Sequence, residues 1–482
     1  MSAPILRSQA YRIPRSPSRA AGGAVIPLSV AALAGVVAAA WSAGTPQGAV
    51  AIVSIGLPLL LVTGALSHLL PDPASRADLP TIVFGALVLR LLAFAVIRLT
   101  VGPYVFAPDA LTYEVVAEKI VLALTGQGGM PMKAVDSLQI GYYWLTAGFF
   151  WLFGEAAAGP ALLNVFLGAW TTVPVYFLAR TVVRGNRGVA RWTAGLVAVF
   201  PSLTLWSALN LREAPTIFLL ALGVYAFVRL GHSRSPRDLL VGLACLGGIL
   251  LSRGYLALLV GIGVPIGLLL SRGRTVGGRV VAMAGLAGAV ALSVVMDIGP
   301  DLTVTPTLET LEAMRRGLGE GARTAYGAAH DVSNPTGAAR FFPVGLAYYL
   351  FAPFPWDLGS TLQWVTLPET LLWYALIPFA ARGALVAFRH EPRAYGVLTA
   401  VIVAIIVPYA LVQGNVGTAY RHRAQILPLV FVFVAIGLRD ALAAAMASRR
   451  ERGRMRLRAG ARQRGGNRSA SPPSEWVGER AS

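Results

Sequence analysis

The chain has 482 residues, of which 56% are hydrophobic and only 13% are charged, and its mean hydropathy is +0.64. About a quarter of the residues in a soluble globular protein are charged, so this composition excludes that class. Apolar runs long enough to cross the ~30 Å core of a bilayer recur along the chain. They predict an all-α polytopic membrane protein rather than a β-barrel, whose strands show weaker alternating runs.

The net charge of +19 comes largely from arginines in two tails. Basic tails are topology signals and attract anionic lipid headgroups. We therefore predict a basic cytoplasmic tail over residues 1–22 and a basic, disordered cytoplasmic tail over residues 447–482. RNA binding is the alternative for the second tail, but aromatics do not interleave with its arginines, and we expect no nucleic-acid partner. The single cysteine, Cys245, excludes a disulfide framework.

Residues 23–446 form the predicted transmembrane domain. Twelve apolar segments in it are predicted to cross the membrane, at residues 24–42, 48–70, 81–101, 158–183, 189–206, 214–231, 238–252, 255–271, 278–297, 367–388, 395–413 and 424–446. Two further apolar segments, 138–154 and 341–355, follow the two long polar segments. They are predicted to lie in or on the outer leaflet.

Arginine placement favours this topology over one with fourteen spans. The arginines between spans form four clusters, Arg180/Arg184/Arg187/Arg191, Arg229/Arg234/Arg237, Arg272/Arg274/Arg279 and Arg382/Arg389/Arg393. The positive-inside rule places all of them with both termini in the cytoplasm if neither 138–154 nor 341–355 crosses. Pro343, Pro353 and Pro355 also make the second segment a poor spanning helix. Fourteen spans, with both segments crossing, is the alternative.

On this topology the outer face collects two candidate catalytic carboxylates. Asp109 follows the third span and begins a run with helical periodicity. A carboxylate at the mouth of a span is a candidate catalytic group, and a helix N-cap is its alternative role. Glu213 is either a second catalytic carboxylate or only an acidic residue in the first turn of a helix. Glu114 and Glu118 are predicted to be solvated.

The candidate substrate-binding residues lie on the same face. On this topology the cluster Tyr420-Arg421-His422-Arg423 lies on the outer face, although arginines generally accumulate on the cytoplasmic side. Guanidinium groups bind phosphate bidentately, so the cluster is predicted to hold a phosphate. The full candidate set is Tyr113, Tyr142, Tyr143, Arg212, Arg253, Tyr255, Tyr420, Arg421, His422 and Arg423. A lone histidine beside two arginines is a poor cation site, and we predict no metal or other cofactor.

A series of short motifs carries a family resemblance. They are Gly141-Tyr142-Tyr143-Trp144-Leu145, Ala161-Leu162-Leu163-Asn164, Tyr176-Phe177-Leu178-Ala179-Arg180, Phe200-Pro201-Ser202, Leu211-Arg212-Glu213-Ala214 and, late in the chain, Tyr420-Arg421-His422-Arg423 with Leu427-Pro428-Leu429. Their order after an outer-face aspartate resembles the GT-C superfamily of membrane glycosyltransferases. The similarity is to the branch of protein O-mannosyltransferases and the lipid A aminoarabinose transferase, and it covers residues 81–445.

The resemblance implies an inverting transfer of a sugar from a polyprenyl-phosphate donor to a glycan, lipid or protein acceptor. It places the reaction on the extracytoplasmic face of the cell membrane, without a metal, and maps the catalytic base onto Asp109. Many relatives carry a second acid at the next position, where this chain has Ala110. The role of a second carboxylate therefore falls to Glu213 or to no residue.

Two other functions compete with this interpretation. An O-antigen polymerase or ligase would also use lipid-linked sugars, but it would depend on a late outer loop, here on Arg315, Arg316, Arg323 and His330. A transporter or flippase of lipid-linked sugars is the second alternative. It would favour internal repeats with broken helices, and the sequence shows no such repeat.

Overall fold

The computed structural model describes residues 19–135, 137, 139–233, 235–271, 285, 288 and 307–468. Regular structure in these ranges is helical. The α-helices are α1 (Arg19–Ser42), α2 (Pro46–His68), α3 (Pro73–Thr100), α4 (Asp109–Leu124), α5 (Ile140–Phe153), α6 (Ala158–Trp170), α7 (Thr172–Val182), α8 (Arg187–Val199), α9 (Pro201–Ser207), α10 (Glu213–Ser233), α11 (Pro236–Ser252), α12 (Gly254–Leu270), α13 (Leu308–Gly319), α14 (Pro335–Phe351), α15 (Thr361–His390), α16 (Gly396–Val412) and α17 (Val416–Arg468).

The all-α polytopic fold is confirmed, whereas the number of spans stays a prediction. Within the described ranges, eight helices are long and apolar enough to cross a membrane, or nine if the bent pair α8–α9 is one span. Helices occupy every predicted span except 278–297, which lies outside the described residues. Helices α11 and α12 have 17 residues each, just below the length of the other candidates.

Helix α5 lies along one end of the bundle. Helices α1, α2 and α3 follow one another as antiparallel hairpins. The end of α1 and the start of α2 therefore lie at the same end of the bundle as the end of α3. Tyr142, at the start of α5, bonds Asn210 just before α10. Gly154 follows α5, and a Cβ there would lie 3.8 Å from Gln47 at the start of α2. Both ends of this 14-residue helix are therefore near the same end of the bundle, as the arginine clusters predict for 138–154.

The opposite end of the bundle carries arginines of three of the four clusters, since Arg272, Arg274 and Arg279 lie outside the described residues. Arg180 Nη1 lies 2.7 Å from Asp72 Oδ2, which ties the end of α7 to the start of α3. The ring centroid of Tyr225, near the end of α10, lies 6.0 Å from that of Phe177, which is on α7 close to Arg180. Helix α10 has 21 residues and is roughly 31 Å long, so Glu213 at its start lies far from the arginine-rich end.

A buried arginine stabilises the break between α8 and α9. Pro201 has no N–H, so the carbonyl of Val197 lacks its usual helical partner. Arg90, which is buried, donates from Nη2 to Val197 O at 3.0 Å and from Nη1 to Ala198 O at 2.8 Å. The chain bends by 54° at this break. The bend directs α9 toward the corner at residues 208–212 that leads into α10.

Helices α15 and α17 pack closely through glycines. A Cβ on Gly383 would lie 2.9 Å from the backbone nitrogen of Gly437, and it would collide with the carbonyl oxygen of Phe433. Small residues allow such close approach where apolar burial does not drive helix association. This contact aligns the start of α17, which carries Arg421, with the rest of the bundle.

The C-terminal segment differs from its prediction. Residues 447–468 were expected to be disordered, but α17 continues through them to Arg468. Arginine, alanine, methionine and leucine, which have high helix propensity, make up more than half of these residues. Residues 1–18 and 469–482 lie outside the described ranges.

Replacing Gly383 by alanine places a methyl group against the backbone of α17, so we expect the detergent-solubilised protein to melt at a lower temperature. Overpacking of this kind costs about 1–3 kcal/mol. Gly247→Ala in α11 is the matched control, because a Cβ there meets nothing within 4 Å. Thermal unfolding followed by tryptophan fluorescence compares the two. Equal melting temperatures would contradict the close crossing.

Candidate active site

Five parts of the chain converge at the end of the bundle away from the arginine clusters. Helices α4, α10 and α17 begin there, α16 ends there, and α11 turns into α12. They surround a cavity of about 610 Å³. Polar side chains from all five parts line one side of this cavity or lie directly behind it. We call this space the Arg421 cavity.

Arg421 joins the two candidate carboxylates. Its Nη1 donates to Asp109 Oδ2 at 2.5 Å, while its Nε and Nη2 donate to Glu213 Oε1 and Oε2 at 2.7 and 2.9 Å. The Glu213 side chain is 0% exposed, whereas that of Asp109 is 55% exposed. One guanidinium therefore links a carboxylate at the cavity mouth to a carboxylate inside the protein.

Arg253 supplies a second cation to Glu213. It is 0% exposed, and its Nη2 donates to Glu213 Oε1 at 2.5 Å while its Nη1 donates to Tyr255 Oη at 3.0 Å. Arg212 Nη1 donates to the carbonyl of Ser252 at 3.2 Å. The Nε atoms of Arg212 and Arg253 are buried without a hydrogen-bond partner in the described part of the chain. These N–H groups are unused donors at the site.

Each candidate carboxylate makes contacts that its alternative role, at the start of a helix, does not require. Helix α4 is preceded by Pro108, which gives no side-chain cap, and the Asp109 carboxylate faces Arg421 instead of the helix backbone. Glu213 begins α10, where the helix dipole favours an acid, but it also binds Arg421 and Arg253. Both carboxylates therefore take part in interactions beyond a helix start.

Glu114 is not solvated as predicted. Its Oε2 accepts a hydrogen bond from Tyr104 Oη at 2.5 Å and its Oε1 accepts one from Asn210 Nδ2 at 3.2 Å. Burial raises the pKa of Glu114, although these hydrogen bonds favour its charged form. The partner Asn210 lies 96 residues away in the sequence, so local helix periodicity gave no sign of the contact.

A hydrogen-bonded chain continues from Asn210 into the bundle. Tyr142 Oη donates to Asn210 Oδ1 at 2.8 Å and accepts from Asn164 Nδ2 at 2.9 Å. Asn164 also donates to the carbonyls of Leu209 and Leu211 at 2.8 and 2.7 Å. These bonds fix the turn that carries Arg212 and Glu213. Asn164 and Tyr142 therefore position the site from the interior of the bundle.

The cavity receives part of the predicted substrate-binding set. Arg212, Arg253, Tyr255, Arg421 and His422 line it together with the catalytic candidate Asp109, whereas Tyr113, Tyr142, Tyr143, Tyr420 and Arg423 do not. The ring of Tyr113 packs on that of Tyr142 at 4.9 Å and on that of Tyr143 at 5.5 Å. In this structure these three tyrosines pack α4 onto α5, and a substrate contact by them stays a prediction.

Arg423 and Tyr420 also have partners inside the protein. Arg423 is buried and donates from Nη1 to the carbonyls of Leu350 and Ala352 at 2.8 and 2.9 Å. Tyr420 Oη donates to Glu369 Oε2 at 2.6 Å. These bonds attach the start of α17 to α14 and α15. A phosphate contact by Arg423 is therefore unsupported by its position, because its charge faces backbone carbonyls.

Several cavity residues were missed in the sequence. Gln413 and Tyr409, at the end of α16, line the polar side together with His422. Helix α13 supplies an apolar wall with Leu311, Met314 and Leu318. The spacing of these apolar residues in a polar loop was the available signal for an amphipathic helix. Gln413 had a weaker signal, as a polar residue that ends an apolar run.

The loop that holds α13 has its own buried ion pair. Arg315 donates to Glu312 Oε2 and Oε1 at 2.9 and 2.8 Å and to the carbonyl of Gly327 at 2.7 Å. Val332 N donates to Glu312 Oε2 at 3.1 Å. Arg315, which the polymerase or ligase alternative requires for substrate, thus binds the loop itself. Arg316 also pairs with Glu312 but is largely exposed.

Stability of this loop should depend on the charge of Glu312. Burial alone would raise its pKa, but hydrogen bonds from Arg315, Arg316 and the Val332 N–H lower it to about 2. A lowered pKa means that the stabilisation is present above the ordinary carboxyl pKa and is lost as the pH falls toward 2. We expect faster hydrogen exchange of the Val332 amide, corrected for intrinsic rates, as the pH falls from 5 to 3.

Glu312→Gln should produce the same loss of protection at neutral pH. Glu309→Gln is the control, because Glu309 is exposed on the same helix. Unchanged protection in Glu312→Gln would contradict a charge-dependent loop.

Comparison with known proteins gives one family match. Residues 139–297 match the family model described as dolichyl-phosphate-mannose-protein mannosyltransferase. No protein of curated function matches the chain significantly. The matched third of the chain contains Glu213 and Arg253 but not Asp109 or Arg421. The match confirms the resemblance to the GT-C family over residues 139–297, and it supports a membrane glycosyltransferase of the mannosyltransferase-like kind.

Proposed function

We propose that the protein transfers a sugar from a polyprenyl-phosphate donor to an acceptor within the Arg421 cavity. The observation that carries this proposal is the bridge by Arg421 between the half-exposed Asp109 and the buried Glu213. It holds a carboxylate at the cavity mouth and cations behind it. A transfer that deprotonates an acceptor and releases a phosphate needs both.

The phosphate of the donor fits the polar side of the cavity. Arg212, Arg253 and Arg421 carry three positive charges against the two negative charges of Asp109 and Glu213, which leaves one positive charge in excess. The Nε–H groups of Arg212 and Arg253 also have no hydrogen-bond partner in the described part of the chain. Preorganised donors at a developing negative charge each lower a barrier by a few kcal/mol.

The lipid part of the donor fits the apolar side. Leucines of α12 and α13, with Met314 and Val407, line this part of the cavity. The first isoprene units would lie against them while the phosphate remains beside the arginines. Aromatics of residues 142–151 and 341–356 do not line the cavity.

Asp109 is the proposed base. Its Oδ2 is held by Arg421, and its Oδ1 accepts no hydrogen bond among the described residues. Oδ1 would take the proton of the acceptor as the acceptor oxygen bonds to the anomeric carbon. The bond between that carbon and the phosphate oxygen breaks in the same step, which inverts the configuration. The electron pair leaves with the polyprenyl phosphate, next to the arginines.

Glu213 has a different proposed role. Both of its oxygens accept hydrogen bonds from arginines, and it has no exposed surface. It therefore orients Arg421 and Arg253 rather than taking a proton. On this proposal Asp109 acts as the base without a second acid at position 110, where the chain has Ala110.

Asp109→Asn should reduce transfer by roughly 10²–10⁴-fold, the contribution of a positioned general base, with little change in melting temperature. Membranes are incubated with a panel of polyprenyl-phosphate sugars, and release of polyprenyl phosphate is measured. Glu118→Gln on the same helix is the matched control. Full activity of Asp109→Asn together with inactivity of Arg323→Gln would favour the polymerase or ligase alternative.

The proposed reaction takes place on the extracytoplasmic side of the cell membrane. Single cysteines at the exposed positions Glu155 and Ala325, in a Cys245→Ala background, should react with an impermeant thiol reagent in intact cells. A cysteine at Arg449, beyond the arginine-rich end of the bundle, should react only after permeabilisation. Protection at position 155 with labelling at 449 would invert the proposed orientation.

A further inference from the structure

One polar pair of the Arg421 cavity has no part in the proposed transfer. Gln413 directly follows α16 and is 0% exposed, and its Nε2 lies 2.8 Å from His422 Nδ1. The imidazole of His422 stacks on the ring of Tyr409 at 5.1 Å. Gln413, His422 and Tyr409 all line the cavity. Stacking on Tyr409 thus holds the pair in place within the wall of the cavity.

The pair has an unused hydrogen-bonding capacity. Gln413 Oε1 is buried and has no partner in the part of the chain that the structure describes. An unpaired buried carbonyl is unfavourable, because it has lost its hydrogen bonds to water without a replacement. A ligand group that donates to this oxygen would remove the penalty. Phosphate oxygens cannot do so, since at neutral pH they mainly accept hydrogen bonds.

The hydrogen bond between the two side chains fixes what the pair offers to a ligand. If Gln413 donates to His422 Nδ1, then Gln413 Oε1 is an acceptor and His422 Nε2–H is a donor. If the amide is turned and His422 Nδ1–H donates instead, Gln413 offers an N–H and His422 Nε2 accepts. In either arrangement the neutral pair offers at least one donor and one acceptor. A hydroxyl group both donates and accepts, so it satisfies both.

We infer that Gln413 and His422 form a subsite that recognises one hydroxyl of the donor sugar. This inference rests on the proposed function, which brings the sugar into the same cavity. An ammonium group at that ring position could donate to the acceptor but could not accept from the donor, and the excess positive charge of the three arginines would repel it. A deoxy position would leave a buried polar group of Gln413 or His422 unpaired. The subsite therefore selects a neutral sugar with a free hydroxyl at one ring position.

A purely structural role for the pair makes a different prediction. The pair could serve only to join the end of α16 to α17, as the bond from Tyr326 N to Gly414 O joins this turn to the outer loop. In that case its loss would lower stability and would affect every donor equally. Selectivity between donors that differ by one hydroxyl separates the two roles.

The test compares wild type with Gln413→Met, which keeps the side-chain size and removes both hydrogen-bonding groups. The substrates are the accepted polyprenyl-phosphate sugar and its monodeoxy analogues. For wild type we expect one analogue to lose about 10- to 100-fold in kcat/KM relative to the parent. In Gln413→Met the parent should fall by a similar factor, and that analogue should then be used as well as the parent.

Gln127→Leu is the control, because Gln127 is exposed in a loop away from the cavity. If Gln413→Met fails to fold, His422→Phe takes its place, since phenylalanine retains stacking on Tyr409 without the ring nitrogens. The inference is overturned if every analogue keeps the same ratio to the parent in the variant as in wild type.

Failure of the proposed function gives a distinct result. If wild type consumes no polyprenyl-phosphate sugar, the proposed function is wrong. The proposed hydroxyl subsite is then tested by measuring ligand binding instead of transfer. Melting-temperature shifts of nanodisc-embedded protein are then measured with the parent and deoxy donors. A shift that depends on one hydroxyl in wild type but not in Gln413→Met supports the subsite. Equal shifts overturn it.

Discussion

The buried charge of Glu213 is the constraint on which this end of the molecule depends. A carboxylate without exposed surface inside an apolar bundle is strongly unfavourable unless cations neutralise it. Arg253 and Arg421 do so from positions 40 and 208 residues further along the sequence. The pairing fixes the start of α10 against the start of α17 and the turn before α12. Asp109 joins the same group through the remaining nitrogen of Arg421.

Other features of the fold hold this charged group in place. Arg90 satisfies carbonyls at the break before Pro201, which allows the chain to turn toward Glu213. Asn164 binds the carbonyls on both sides of Asn210. These are buried hydrogen bonds to backbone atoms, and each would leave an unpaired polar group if its donor were lost. The site is therefore supported by several helices rather than by one loop.

The sequence was informative about the bundle because the signals for spans are local. Apolar length predicts where helices lie, and arginine placement correctly grouped Asp109, Glu213, Arg253 and Arg421 at one end of the structure. Local patterns could not show which arginine faces a ligand. Arg421 and Arg423 are two residues apart with the same chemistry, yet one binds carboxylates at the cavity and the other binds backbone carbonyls.

Other errors have the same physical origin. Glu114 was predicted to be solvated because its partner Asn210 is brought near only by the fold. The pairing of Gln413 with His422 depends on the turn between α16 and α17, which no periodicity describes. For the C-terminal segment, charge was given more weight than helix propensity, and the helix continues to Arg468.

The unequal exposure of the two carboxylates has a consequence for how substrates would arrive. Asp109 meets water at the cavity mouth, while the opposite wall is built from aliphatic side chains of α12, α13 and α16. On the proposed function, a polar acceptor approaches through the aqueous opening and a lipid-bound donor through the apolar wall. The two substrates then come from different phases and do not compete for one entrance. Either could occupy the site first, and the anomeric carbon would sit at the boundary between the two phases.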